Sequence, residues 1–231
     1  LPAVDRAWDM RRLKPLTYAT LLLFLSVFLD FYIFSSAKYA IDAYMDDASS
    51  GYFNVIFMPT SVINLAAGFV IRPVLTYLTD DWKEGRYREF ANMLKGISLL
   101  IGLLSVLAVG LSWVLGGPVL GVMETVLGEA YKGSLTQYQG AFVLVVSGGG
   151  FYAILNLYYY VLVILRKQKI IFGIYATLTA LAAVLAPALV KRGGIVGAAC
   201  AYLALMAIMA AGFGAGAWVS YKKGRTKREG Q

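Results

Sequence analysis

The chain of 231 residues contains no histidine and only one cysteine, Cys200. Without histidine, the Ser-His and Cys-His pairs of nucleophilic catalysis cannot be built, and histidine-ligated metal sites are excluded as well. A single cysteine cannot form a disulfide within the chain. We therefore expect no cofactor, no metal centre and no enzyme activity.

Charged residues are also scarce. They make up 15% of the chain, whereas soluble domains carry about 25%. Hydrophobic residues reach 59%, and the mean hydropathy is +0.68. This composition predicts a membrane protein. The net charge of +8 does not point to nucleic acid, because the basic residues lie in short runs between apolar segments, which is a pattern of membrane topology.

Six apolar segments are long enough to cross a hydrocarbon core of about 30 Å at about 1.5 Å per residue. The sequence thus predicts an all-α polytopic membrane protein. The third segment is expected to stop at the helix breaker Gly116-Gly117-Pro118, and 119–139 to form a short interfacial helix. The predicted spans are approximately 16–37, 51–77, 96–115, 140–165, 170–190 and 195–220.

The basic residues predict the orientation of these segments. Most of the 21 Lys and Arg fall on one side of the predicted topology, in 1–15, 80–95, 166–169 and 221–231. By the positive-inside rule both termini are expected to be cytoplasmic. Residues 1–15 are predicted to be an amphipathic surface segment and 221–231 a basic tail contacting anionic membrane lipids. Because the chain begins Leu-Pro-Ala-Val, we expect it to be a piece of a longer polypeptide.

One carboxylate, Asp30, falls inside the first predicted span. An ionisable group at membrane depth costs at least about 2.5–3.5 kcal/mol, so it marks a functional site by default. Asp30 is either a proton or cation site, or part of a polar cavity wall. Alternatively, a Tyr, Ser or Asn of a neighbouring helix satisfies it.

Five further polar residues are candidates for a substrate or ion pathway. Lys38 and Asp42 lie one helical turn apart and could pair on a continued helix. Arg72 is predicted near the cytoplasmic boundary, too far along its span to pair with Asp30, either as an interface anchor or as a contact for an anionic phosphate. Asn64 and Asn156 fall near mid-membrane, where they either line a cavity or hydrogen-bond between helices.

Several stretches resemble a known family. Ser36-Ala37-Lys38-Tyr39-Ala40-Ile41-Asp42 is similar to a segment that ends the seventh span of bacterial oligosaccharide flippases and polysaccharide exporters, with Ala37 where proline is common. Further stretches resemble their eighth, tenth and twelfth spans and the linker after the eighth. These are Met58-Pro59, Arg72-Pro73-Val74-Leu75, Trp82-Lys83-Glu84-Gly85, Tyr131-Lys132, Gly148-Gly149-Gly150, Tyr152-Ala153, Leu165-Arg166-Lys167-Gln168-Lys169 and Gly194-Ile195-Val196-Gly197-Ala198-Ala199.

The resemblance covers the chain from about residue 16 and implies the C-terminal half of such a protein. The expected fold is one six-span lobe of a twelve-helix, alternating-access transporter whose other lobe precedes it in the same polypeptide. The expected function is export of a lipid-linked oligosaccharide across the bacterial cytoplasmic membrane for surface polysaccharide assembly. Lys38 and Arg72 are the implied contacts for the pyrophosphate of that substrate.

Three other functions stay open. One is a multidrug or small-molecule antiporter of the same superfamily, and another is a non-transporting membrane scaffold. The third is an integral-membrane enzyme of glycan assembly. The largest predicted outer segment offers such an enzyme only Glu124, Glu129 and Lys132.

Overall fold

A computed structural model describes the backbone of residues 10–128, 131 and 133–229, and the side chains of 17–128, 131 and 133–226. This part of the chain is helical and has no β-strand, so the predicted all-α class is confirmed. In chain order the elements are α1 (Met10–Tyr44), α2 (Asp47–Lys83), α3 (Tyr87–Leu127), a 3-10 turn (Thr136–Tyr138), α4 (Gln139–Ile164) and α5 (Gln168–Glu229).

Within the described residues, five helices are long and apolar enough to cross a membrane. This agrees with the prediction of a multi-pass membrane protein. The predicted terminal segments are only partly covered, since residues 1–9 and 230–231 lie outside the described residues. The described parts of these two terminal segments are helical: residues 10–15 belong to α1, and residues 221–229 belong to the end of α5.

The longest helix, α5, is folded back on itself. Its 62 residues would measure about 93 Å if straight, three times the hydrocarbon core. Gly194 breaks it with φ 54° and ψ −133°, a conformation that glycine adopts without a side-chain clash. Beyond this break Gly197 packs against the carbonyl of Leu189. The break separates a first arm, 168–193, from a second arm, 195–229.

Contacts along the two arms show that they run antiparallel. The rings of Tyr175 and Phe213 lie 4.9 Å apart. Nearer the start of the first arm, Ile170 approaches Gly216 of the second arm. The predicted fifth and sixth apolar segments are therefore the two arms of one hairpin.

The helix ends gather at two ends of the bundle. At one end Lys169 lies over the ring of Tyr18, 5.9 Å from its centre, and Trp82 packs against Tyr221. We call this the basic end, because the α2–α3 turn, the α4–α5 turn and the end of α5 carry most of the basic residues there. At the opposite end Lys191 covers the ring of Tyr44. The start of α1 and the end of α5 thus lie at the same end.

The connection between α1 and α2 is shorter than expected. The sequence predicts a loop up to Gly51, but α1 continues to Tyr44 and α2 already begins at Asp47. Asp46 makes this possible by capping α2, since its carboxylate accepts the backbone N–H of Ser49 at 3.3 Å. The hydrogen bonds from Ser49 hold the pKa of Asp46 below its usual value.

The expectation that Gly116-Gly117-Pro118 ends the third helix is wrong, because α3 continues through it to Leu127. Pro118 has no N–H for the preceding turn, which weakens the helix there. Gln139 of α4 adds a donor in the same turn, since its Nε2 donates to the carbonyl of Trp113 at 3.0 Å, next to the carbonyl of Val114 that Pro118 leaves without an N–H. A neighbouring helix thus supports the turn that the local sequence disfavours.

Helix α4 occupies the centre of the bundle, and its three successive glycines allow this. A Cβ at Gly148 would lie 2.6 Å from the ring of Tyr202 in α5, and one at Gly150 would lie 2.8 Å from Ser105 in α3. A Cβ at Gly149 would lie 3.3 Å from Ile63 in α2. The triplet therefore brings α4 close to three helices, and close packing accounts for it better than a phosphate loop.

We predict that Gly148→Ala destabilises the folded protein by about 1–3 kcal/mol, because the new methyl group overpacks the contact with Tyr202. Gly140→Ala on the same helix is the matched control, since a Cβ there meets nothing within 4 Å. Thermal unfolding in detergent, followed by tryptophan fluorescence, compares the two. Equal melting temperatures for both variants would contradict the close packing of α4.

Candidate functional site

Asp30 lies on α1 at the level of three tyrosines from other helices. Its Oδ2 accepts a hydrogen bond from the Oη of Tyr152 in α4 at 2.8 Å. Tyr175, on the first arm of α5, is close enough to interact with the carboxylate. Nevertheless, the buried Oδ1 has no hydrogen-bond partner among the described residues. The tyrosine partner that the sequence offered as one alternative is thus present at one oxygen, the other oxygen has no partner among the described residues, and the proton or cation site stays a prediction.

The hydroxyl of Tyr202, on the second arm of α5, is the second buried polar group here without a partner in the described part of the chain. It lies within electrostatic reach of Asp30. A carboxylate with one unpaired oxygen can take up a proton or bind a cation, since either supplies the missing partner. The arrangement is chemically suited to one of these ligands.

Asn64 and Asn156 meet across α2 and α4, where the Nδ2 of Asn156 donates to the Oδ1 of Asn64 at 2.8 Å. Both also line a cavity of about 390 Å³, together with Ser61, Arg72 and Tyr160. The two expectations for these asparagines, a cavity lining and a helix–helix hydrogen bond, thus describe the same place.

Arg72 is exposed and lines the same cavity. It lies on α2 about 12 Å along the helix axis from Asn64, toward the basic end. No ion pair to Arg72 occurs among the residues that the structure describes. The cavity therefore offers one cation and two amides.

The Asp30 site and the cavity adjoin each other through Phe34. This residue lies one helical turn after Asp30 and lines the cavity. Its ring centre is 4.8 Å from that of Tyr152, the tyrosine that donates to Asp30. Tyr152 and Asn156 are themselves one turn apart on α4. A single face of α4 thus holds both Asp30 of α1 and Asn64 of α2.

Lys38 and Asp42 lie apart from this cavity. The Nζ of Lys38 is 4.5 Å from the ring centre of Phe57. Asp42 accepts a hydrogen bond from Ser50 at the start of α2. The helix is continuous between Lys38 and Asp42, as the pairing would need, but within the described residues they form no direct ion pair. Ala37 is fully buried within this continuous helix.

Glu124 has a structural role. Its carboxylate accepts the backbone N–H groups of Gly133 at 3.1 Å, Leu135 at 2.7 Å and Thr136 at 2.8 Å, and also the hydroxyl of Thr136. These bonds tie the segment after α3 to the end of that helix. Glu129 and Lys132, the other residues considered for an enzyme, lie outside the described residues.

The tyrosines that surround Asp30 were not predicted as site residues. Tyr152 appeared only in the motif Tyr152-Ala153, and Tyr175 and Tyr202 stand out in no pattern. Their common feature in the sequence is a hydroxyl within an apolar span, and such a group needs a partner at membrane depth. Sixteen tyrosines in the chain make this signal unspecific.

Comparison with known proteins identifies no relative of this chain: no family model matches, and neither a curated protein nor a solved structure is significantly similar. The described residues also contain no group of three metal-ligating side chains. The fold and site define the chain as a multi-helix bundle of membrane-protein type with a polar cavity.

We predict that Tyr152→Phe and Tyr202→Phe differ in their effect on the stability of the folded protein. The first removes a hydrogen bond to a buried carboxylate and destabilises the protein by about 1.5–3 kcal/mol. The second removes a hydroxyl without a partner in the described chain, so stability stays equal or rises. Thermal unfolding of both variants in detergent measures the difference. Equal losses of stability would contradict the assignment of the Asp30 bond to Tyr152.

Proposed function

We propose that the chain is one lobe of a membrane transporter that flips a lipid-linked oligosaccharide across the bacterial cytoplasmic membrane for surface polysaccharide assembly. The observation that carries the proposal is the cavity in which Asn64, Asn156 and Arg72 converge inside an apolar bundle. The motif resemblance described above supports the same function.

In this proposal the lobe crosses the membrane six times. Helices α1 to α4 contribute four crossings, and the two arms of α5 contribute the fifth and sixth. A second six-span lobe of the same polypeptide completes a twelve-helix transporter working by alternating access. The basic end then faces the cytoplasm, in keeping with the positive-inside rule.

The cavity chemistry fits a sugar. Each unsatisfied polar group costs several kcal/mol in hydrocarbon, so a glycan crosses only where protein groups replace water. The hydrogen bond between Asn64 and Asn156 uses one donor and one acceptor. It leaves the Nδ2 of Asn64 and the Oδ1 of Asn156 to bind hydroxyl groups.

Arg72 fits the pyrophosphate that links such a glycan to its lipid. Guanidinium groups bind phosphate oxygens in a bidentate manner, and Arg72 has no competing carboxylate on the cavity wall. A cationic cavity is unfavourable for the cationic compounds that many drug antiporters export. Arg72 thus favours the flippase over the antiporter alternative.

The glycan-assembly enzyme is the weakest alternative. The carboxylate of Glu124 is occupied by backbone N–H groups, whereas an acid or base must reach the substrate.

We also propose, as a separate step, that Asp30 couples transport to a proton or sodium gradient by taking up the ion at its unpaired oxygen.

The test is flipping of a fluorescent polyprenyl-pyrophosphate oligosaccharide by the full-length protein in proteoliposomes. We expect Arg72→Gln and Asn156→Leu each to slow flipping about tenfold or more, since a hydrogen bond to a charged or polar group contributes about 1–3 kcal/mol. Arg192→Gln, an exposed change at the opposite end, serves as the control and leaves the rate unchanged.

Asp30→Asn separates coupling from substrate binding. If Asp30 couples transport, this variant no longer responds to an imposed proton or sodium gradient. An unchanged gradient response would remove Asp30 from the mechanism and leave the flippase proposal intact.

Folded wild-type protein that flips no lipid-linked sugar but exports cationic dyes would overturn the flippase in favour of the antiporter.

A further inference from the structure

A second groove lies on another side of the bundle, between α3 and the second arm of α5. It consists of two adjoining cavities of about 380 and 540 Å³. Both are lined by Ala91, Asn92 and Tyr221, so they share a wall, and we call the two together the groove. Tyr158 of α4 forms part of its inner wall, and its Oη lies 3.5 Å from the hydroxyl of Ser98.

The inner part of the groove is mostly apolar. Leu94, Gly214, Ala217 and Trp218 contribute to its walls. Gly214 is about 10 Å deeper along the second arm than Tyr221, so the groove extends through much of one leaflet of a bilayer whose core is about 30 Å thick. Trp218 is 67% exposed and borders this part. The shape and polarity suit a hydrocarbon chain.

The outer part of the groove is polar and lies at the basic end. Arg88 and Arg225 line it, and Lys95 lines the inner cavity near the junction. One carboxylate, Glu89, also lines the outer part. The Nε of Arg86 lies 2.9 Å from this carboxylate.

Arg86 also pairs with two other carboxylates near the α2–α3 turn, those of Asp81 and Glu84. Its guanidinium hydrogen-bonds Asp81 at 2.6 Å and 2.9 Å, and it pairs with Glu84. Within the described part of the chain, Arg88 and Lys95 therefore form no ion pair. The positive end of the α3 dipole at Tyr87 adds to this field. Among the residues that line the groove, four basic side chains outnumber one carboxylate, Glu89; the basic residues are Arg86, Arg88, Lys95 and Arg225.

This groove is separate from the cavity of the proposed transport function. On α4, Tyr158 is two residues after Asn156, which turns its side chain about 200° around the helix. The asparagine cavity and the groove thus lie on opposite faces of α4. A ligand in the groove does not occupy the transport path.

We propose that this groove binds an anionic phospholipid, with the headgroup phosphate at Arg88 and Lys95 and an acyl chain in the apolar part beside Trp218. The charge complementarity is confined to the surface end, and the apolar walls begin directly beneath it. A membrane phospholipid has this same order of charge and hydrocarbon.

Trp218 provides a local probe. In full-length protein with Trp8, Trp82 and Trp113 changed to Phe, its fluorescence is quenched by lipids brominated in the acyl chain. Vesicles contain equal amounts of phosphatidylglycerol and phosphatidylcholine, with either one brominated, so the total charge is constant. The ratio of quenching gives the relative binding constant of the two lipids beside Trp218. We expect clear preference for phosphatidylglycerol.

Two sets of variants locate the phosphate. Arg88→Gln with Lys95→Gln is expected to lower the preference about thirtyfold, since a basic residue near a membrane contributes about 1 kcal/mol. Lys222→Gln with Lys223→Gln is the matched control. It removes the same charge from exposed positions that do not line the groove, and the preference is retained.

Gly214→Leu tests the acyl chain. A Cβ at Gly214 is in ordinary contact with Tyr158 at 3.7 Å, so the larger side chain fills the groove, and quenching by brominated phosphatidylglycerol falls. Unchanged melting temperatures show that each variant folds.

Three results would overturn the proposal. The first is equal quenching by both lipids in the unaltered protein. The second is an equal loss of preference in the Lys222/Lys223 control, which would show a diffuse surface charge effect. The third is displacement of the lipid by dissolved glycerol phosphate, which would show that the site binds a free phosphate.

Discussion

The architecture depends on one constraint: polar side chains inside an apolar bundle must find partners on neighbouring helices, because hydrocarbon supplies none. Helix α4 provides these partners from one face, where Tyr152 donates to Asp30 of α1 and Asn156 donates to Asn64 of α2. Helix α1 packs mainly against α5 and also contacts α2 directly, where Asp42 accepts from Ser50 and Lys38 lies over Phe57. The bonds from α4 add a polar link to each of these helices, and the polar cavity lies beside these links.

The packing of α4 makes these bonds possible. Its glycines Gly148, Gly149 and Gly150 bring the helix close to α5, α2 and α3, so that short side chains such as asparagine can reach across. Because α4 lies at the centre of the bundle, two of its faces line cavities. One carries the amides of the proposed transport cavity, and the other carries Tyr158 in the lipid groove. A change in the tilt of α4 would alter both.

Much of the fold could be predicted, because apolar length and basic runs are local properties of the sequence. The helix continuing through Pro118 could not, since the supporting Gln139 belongs to another helix. For the site, the burial of Asp30 and the cavity position of Asn64 and Asn156 follow from polar residues within apolar spans, whereas Arg72 was expected only near the cytoplasmic boundary. The role of Tyr152, the separation of Lys38 from the cavity, and the use of Glu124 as a loop anchor depend on long-range contacts.

If the chain is a transporter lobe, the asparagine cavity is a water-accessible path within a membrane-embedded bundle. Ser61 lines this cavity, whereas its neighbour Val62 lines an apolar crevice with α3. In full-length protein carrying Cys200→Ala, cysteine is placed at one position or the other, and its reaction with a membrane-impermeant maleimide is measured in sealed vesicles of both orientations. We expect that Ser61→Cys is labelled and Val62→Cys is not. Labelling of Val62→Cys as fast as Ser61→Cys, or of neither in folded protein, would contradict it.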